Sequence, residues 1–340
     1  MTVTGKCDIV IITGKLEYFN NDLNYKSKMN PGLVNTLAKP SSRDWISGES
    51  YIQACLNTVI TNKFPDNHYI LTLEDHTEEQ IHNIMSSCKI AILPGYTKNL
   101  HKDHVLYRYS KKIYSYTYQK TNFSNSLVAY DELNSDGYPI YCFPLTMDKP
   151  SCSFDKNIRG MILGKCLSHT INRADFTLSL LDLLKNQIYC SYRDLSKLDK
   201  FPDYLDQSRK DSYISYCSRI IDHKNVNHLG IIQPNNFREL LRHCKYMIGF
   251  GNPRKTPTMM EALCECNCII LAPSSQTSKD LVSNKNYYNI DGMSPTEIAD
   301  LIDKIEMGDI VFDPTAIPQN YTIENMAMRI SDLINNSYDK

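Results

Sequence analysis

The sequence contains no run of about 18 apolar residues, so no segment qualifies as a membrane-spanning helix. Its N-terminus has no charged region followed by an apolar core, which removes the signature of a secretory signal and makes the cytoplasm the expected location. An excess of one charge sign is also missing: 37 lysines and arginines nearly cancel 38 aspartates and glutamates, leaving no footprint for nucleic acid or an anionic membrane. A nucleic-acid partner is therefore disfavoured, although a local basic cleft is compatible with the balance. No internal repeat is visible beyond an alternation of strand-like and helix-like segments. Twelve cysteines without a secretion signal are expected as free thiols. Cys264, Cys266 and Cys268 form a C-x-C-x-C run, but it passes from helix end to strand and lacks a second cluster at zinc spacing. No metal site is expected from it.

What is present is enough chain for two globular domains: 340 residues, 42% of them hydrophobic. The most informative stretch is 228–273. Leu229 to Ile232 reads as a short strand, and Asn235 or Asn236 can cap a helix with Phe237, Leu240, Leu241 and Cys244 on one face. Tyr246 to Phe250 then reads as a buried strand, and Gly249 and Gly251 allow a sharp turn and close approach of a ligand. After Pro253, Thr256 and Pro257 supply an N-cap and an N1 proline for a helix to about Cys264, before a strand from Cys268 to Ala272. Such a helix starts at the carboxyl end of a strand, where open α/β sheets bind ligands and a helix N-terminus favours a diphosphate. Arg254 and Lys255 add positive charge there. An ordinary capped helix with solvated basic residues fits the same residues, and both readings stay open.

Taken in order, residues 7–13 read as a buried strand, and 47–60 as a helix capped by Ser47 with Ile52, Leu56, Val59 and Ile60 inward. Glu49 falls in its first turn, either as a partner of the helix dipole or as a general base at a cleft rim. His68 to Leu73 is a second strand, Thr77 to Ser86 a helix, and Lys89 to Leu93 a third strand, a rhythm that implies a parallel sheet. The tyrosines and lysines of 107–120 fit a base-stacking surface and a half-exposed strand equally well, and the neutral overall charge favours the strand. The pattern restarts near Pro139 to Pro150, so the domain boundary is drawn at 142/143. A strand follows at Gly160 to Leu163, then a helix from Phe176 to Leu184 and a strand from Gln187 to Ser191. A helix is expected from Tyr213 to Ile221, a strand from Tyr287 to Ile290, and helices at Pro295 to Ile305, capped by Ser294, and at Thr322 to Ile334.

Two successive doubly wound domains with a basic, glycine-containing turn in the second suggest a nucleotide-sugar transferase of the GT-B type. The segment LGIIQPNNFRELLRHCKYMIGFGNPRKTPTMMEAL resembles the C-terminal domain of glycosyltransferase family 18, the N-acetylglucosaminyltransferase V family. That family carries a G-hydrophobic-G-x-P turn and then x-P-x-x-x-E-A, at the spacing of Gly249, Gly251, Pro253, Pro257, Glu261 and Ala262. Weaker matches lie at CFPLTMD, at SGES around Glu49, at DIVIITG and in the tail.

The resemblance implies an inverting, metal-independent transfer of N-acetylglucosamine from UDP-GlcNAc to a hydroxyl of a glycan acceptor, with no cofactor beyond that co-substrate. It implies an acceptor-side domain over 1–142 and a donor-binding domain over 143–340. Glu49 would be the catalytic base, and Gly249, Gly251, Pro253, Arg254, Lys255, Thr256, Pro257 and Glu261 the donor-binding set. Three departures accompany it. Lys255 and Thr256 replace an acidic residue and a glycine, Cys266 stands where many such transferases have glycine, and the family's membrane anchor and stem are missing. Transfer of another sugar, a different acceptor such as a modified nucleobase, and a non-catalytic nucleotide or glycan binder are the alternatives these departures leave.

Overall fold

Short apolar runs between turn formers become the central strands of two parallel sheets in the computed structural model. It describes residues 7–13, 48–73, 75–94, 104–116, 125–131, 137–143, 154–163, 174–192, 194–197, 206–230, 232, 234–249, 257–274 and 278–336. Among these, no helix is long and apolar enough to cross a membrane.

The first sheet contains β1 (Ile9–Thr13), β2 (His68–Thr72), β3 (Ile90–Pro94), β4 (Ile113–Tyr116), β5 (Asn125–Val128) and β6 (Tyr138–Pro139), ordered β2-β1-β3-β4-β5-β6. Ile9 to Ile12 are all buried, as a strand covered on both faces requires. Helix α1 (Gly48–Lys63) buries Ile52, Cys55, Leu56, Val59 and Ile60, the 3.6-residue stripe of a core-facing helix. Helix α2 (Glu78–Ser87) opens on a capping box between Thr77 and Gln80 and turns Ile81, Ile84 and Met85 inward. At its other end Lys112 Nζ donates to the carbonyls of Met85, Ser86 and Cys88 at 3.2, 3.3 and 2.7 Å, a cation where the helix dipole favours one. β4 lies between β3 and β5 with Ile113, Ser115 and Tyr116 buried, so it is an interior strand rather than the half-exposed one expected for 107–120.

The second unit alternates β7 (Gly160–Leu163), α3 (Ala174–Leu183), β8 (Ile188–Cys190), α4 (Lys210–Ile221), β9 (Val226–His228), α5 (Pro234–His243), β10 (Tyr246–Gly249), α6 (Pro257–Cys266), β11 (Ile269–Ala272), α7 (Lys279–Val282), β12 (Tyr287–Asn289) and α8 (Pro295–Met307). The order β9-β8-β7-β10-β11-β12 is the doubly wound arrangement of dinucleotide-binding sheets, with the reversal between β7 and β10. β9 precedes the strand expected at Leu229 to Ile232, because Val226 to His228 pair with β8 and Gly230 then adopts φ 65°. Asn235 and Asn236 lie inside the first turn of α5 rather than capping it, and α4 begins three residues before Tyr213. Ser294 and Glu297 close a capping box on α8, Pro295 occupies its first turn, and Gly308 ends it at φ 90°.

Helix α9 (Ile323–Asn336) packs on α1 of the first unit, burying Met326, Ile330, Leu333 and Ile334. Arg329 lies 4.3 Å over the Tyr138 ring and its Nε donates to the Pro139 carbonyl at 3.0 Å, while Tyr321 meets the rings of Tyr130 and Tyr141. Described residues up to 143 and from 319 onward therefore form one unit, and 154–318 the other. The sequence reading kept all of 143–340 together. An amphipathic helix announces that it has a face to bury but not which sheet covers it.

Candidate functional site

In a doubly wound sheet the crevice for a ligand opens where the strand order reverses, beyond the carboxyl ends of the strands. In the second unit that place lies between β7 and β10, whose last residues, Leu163 and Gly249, stand in register. Gly249 is buried there, and α6 begins after it with Pro257, a residue with no N–H to leave unpaired in a first turn. Gly251, Pro253, Arg254, Lys255 and Thr256 lie outside the described residues.

Glu261 sits four residues into α6, about 6 Å along the axis from Pro257. Its Oε1 accepts from Arg238 Nη2 at 2.5 Å, and the two side chains are 15% and 7% exposed. Arg238 occupies the matching place in α5, four residues after Pro234, and α5 packs against α6. The two helices meet again at Cys266, whose Sγ donates to the Arg238 carbonyl at 3.6 Å. A guanidinium this buried needs a carboxylate partner at close range, and Glu261 supplies it. Arg238 was absent from the sequence-derived set. Its signal was its position three residues before Leu241, on the flank of the apolar face, where a cation needs a carboxylate from another element.

The cysteine run is packing rather than reactive chemistry. Burial, with smaller contributions from Glu261 and Glu265, pushes the Cys266 thiol up to about 12; burial does the same at Cys264 and Cys244, and holds the Cys268 thiol well above its ordinary value. Among the described residues no group of three His, Cys, Asp or Glu side chains could hold a metal ion. Asn267 takes φ 53° directly after α6, one of the few non-glycine residues that tolerates this conformation.

In the first unit the order reverses between β1 and β3. Helix α1 ends five residues before β2 begins, so its C-terminus lies at the amino edge of the sheet. Its sixteen residues span about 24 Å, which carries its first turn toward the carboxyl edge. Glu49 is the second residue of that turn. The structure thus brings Gly249, Pro257 and Glu261 to the reversal of one sheet and Glu49 to the helix that follows the reversal strand of the other.

No protein-family model matches the sequence, and no curated protein is similar to it in sequence. Solved structures are similar over nearly the whole chain. A glycosyltransferase from Rickettsia africae ESF-5 superposes with a TM-score of 0.55 at 9% identity, covering 99% of this chain and 100% of its own. A provisionally assigned UDP-N-acetylglucosamine 2-epimerase from Listeria monocytogenes gives 0.53 at 9% identity, covering 98% and 97%. AviGT4, a glycosyltransferase involved in avilamycin A biosynthesis, gives 0.50 at 12% identity, covering 96% and 97%. The fold is GT-B. Two doubly wound α/β units are expected from the sequence, and two parallel sheets, six strands each among the described residues, match these neighbours.

Proposed function

We propose that the chain is a nucleotide-sugar-dependent glycosyltransferase that transfers N-acetylglucosamine from UDP-GlcNAc to a hydroxyl of a glycan acceptor, with inversion and without a metal. The observation that carries this reading is the helix α6, which begins at the strand-order reversal of a GT-B sheet with a carboxylate one turn from its start. An N-terminus in that position favours a diphosphate, and the leaving group of a nucleotide sugar is one. Gly249, Gly251, Pro253, Arg254, Lys255, Thr256 and Pro257 are the residues we assign to the donor, with the Arg254 and Lys255 side chains and the positive end of the α6 dipole offsetting the charge of its phosphates. Glu261 accepts from a donor hydroxyl. Glu49 takes the proton of the acceptor hydroxyl as that oxygen attacks the anomeric carbon, a role that typically contributes about 10²- to 10⁴-fold in rate. Family 18 glycosyltransferases supply the model for these roles through the motif from Gly249 to Ala262, and glycosyltransferases among the structural neighbours agree with the reaction class.

A panel of UDP-, GDP-, dTDP- and CMP-sugars read by thermal stabilisation tests the donor, since a ligand present at 100 times its Kd stabilises by about 2.7 kcal/mol. UDP-GlcNAc is expected to raise the midpoint most. UDP release with an oligosaccharide acceptor should then fall at least 100-fold in Glu49→Gln with donor affinity retained. Stabilisation by no member of the panel would end the reading, and near-normal turnover of Glu49→Gln would remove Glu49 from it. One structural neighbour bears the name of an epimerase, so the sugar product formed without acceptor should be identified: UDP-ManNAc would replace transfer by epimerisation.

A further inference from the structure

We infer that Arg238 is a positioning residue for the donor, holding the Glu261 carboxylate by one oxygen so that the other faces the ligand; this rests on the donor-site reading above. Three observations lead to it. Arg238 and Glu261 occupy equivalent places, each four residues into a helix that starts at the carboxyl edge of the second sheet. Among the described residues the partner of Glu261 is the Arg238 guanidinium, through Oε1. The backbone of Arg238 is tied to the end of α6 by Cys266, so the two helices are joined a second time beside the pair. A carboxylate with three rotatable bonds gains in binding only what its ordering does not consume, and a buried guanidinium on Oε1 removes that freedom before the donor arrives. Charge matters as well. An isolated carboxylate beside a diphosphate would repel it, and Arg238 neutralises Glu261 while leaving Oε2 able to accept from a sugar hydroxyl.

The test is a double-mutant cycle on UDP-GlcNAc binding, read by titration calorimetry with wild type, Arg238→Met, Glu261→Gln and the double variant. Each single substitution should raise Kd at least 10-fold. The double variant should be no weaker than the weaker single, because Arg238 acts only through Glu261. Arg238→Lys keeps the cation but loses the planar fork, and should raise Kd roughly 3- to 10-fold with a melting midpoint close to wild type. It decides the matter if Arg238→Met does not fold. Wild-type affinity in Arg238→Met or Arg238→Lys, or fold-changes that multiply in the double variant, would overturn the assignment of Arg238 and leave the donor site standing. Failure of wild type to bind any nucleotide sugar would overturn the donor site and the inference together.

Discussion

A single methyl group added at residue 160 probes the packing across the reversal of the second sheet. Gly160 on β7 faces Tyr246 on β10 in register, and a Cβ built on Gly160 falls 2.1 Å from Tyr246 Cζ, 2.3 Å from its hydroxyl oxygen and 2.4 Å from Cε2. The ring has no room to retreat. Tyr246 is 1% exposed, its backbone is paired on both sides with β7 and β11, and its hydroxyl donates to Glu306 Oε1 at 2.9 Å. Overpacking a core costs about 1–3 kcal/mol, and disturbing a hydrogen bond to a charged group adds about 1.5–3 kcal/mol when it is lost outright. We therefore expect Gly160→Ala to lower the stability of the second unit by about 3 kcal/mol, or about 6–12 °C in Tm. Scanning calorimetry and urea titration both measure it. Tyr246→Leu leaves a cavity by itself but removes the clashing ring, so the double variant should be more stable than the sum of the single losses by more than about 1 kcal/mol. A Gly160→Ala protein melting within about 2 °C of wild type, or strict additivity with Tyr246→Leu, would refute the packing.

Glu261→Ala should destabilise by about 3 kcal/mol because it removes the carboxylate paired with the buried Arg238 guanidinium, whereas replacing both residues by methionine should be close to neutral in urea titration. The thiols of Cys244, Cys264 and Cys266, raised from 9.0 to about 12, should resist iodoacetamide at pH 8 until the chain is unfolded, as site-resolved mass spectrometry will show. Between pH 9 and 12 the unfolded chain has released protons that the folded chain keeps, so their contribution to stability is full below that window and is lost as pH rises through it. Arg329→Ala removes the ring contact with Tyr138 and the bond to the Pro139 carbonyl, and should cost about 1–2 kcal/mol and expose α9 to limited proteolysis before the rest of the first unit.

Elements with local signals were legible in the sequence. Gly160–Leu163 is a short apolar run and forms β7 at those bounds; Ser294, Pro295 and Glu297 write the start of α8 into four residues. β9 was misplaced because it lies at the edge of the described sheet, where Asn227 and His228 need not be apolar, while the more apolar LGII that follows attracts a strand assignment. β5 and the two-residue β6 are too short, and β5 too polar at its start, to show a period. The return of α9 to the first unit and the pairing of Arg238 with Glu261 depend on residues far apart in the chain meeting in the fold. Of the site, Pro257 as a helix start was visible from its neighbours, and the place of Glu261 one turn inside that helix followed from it. The guanidinium that holds Glu261 became apparent only when α5 was set against α6.

On the proposed reading a nucleotide sugar binds at the start of α6, at the strand-order reversal of the second sheet. Hydrogen–deuterium exchange with and without saturating UDP-GlcNAc tests it most directly, because ligand N–H contacts at a helix N-terminus slow exchange there. We predict protection concentrated in residues 249–261, and its loss in Glu261→Gln when the ligand is set near the wild-type Kd rather than at saturation. Protection confined to other segments, with 249–261 exchanging as in the free protein, would contradict it.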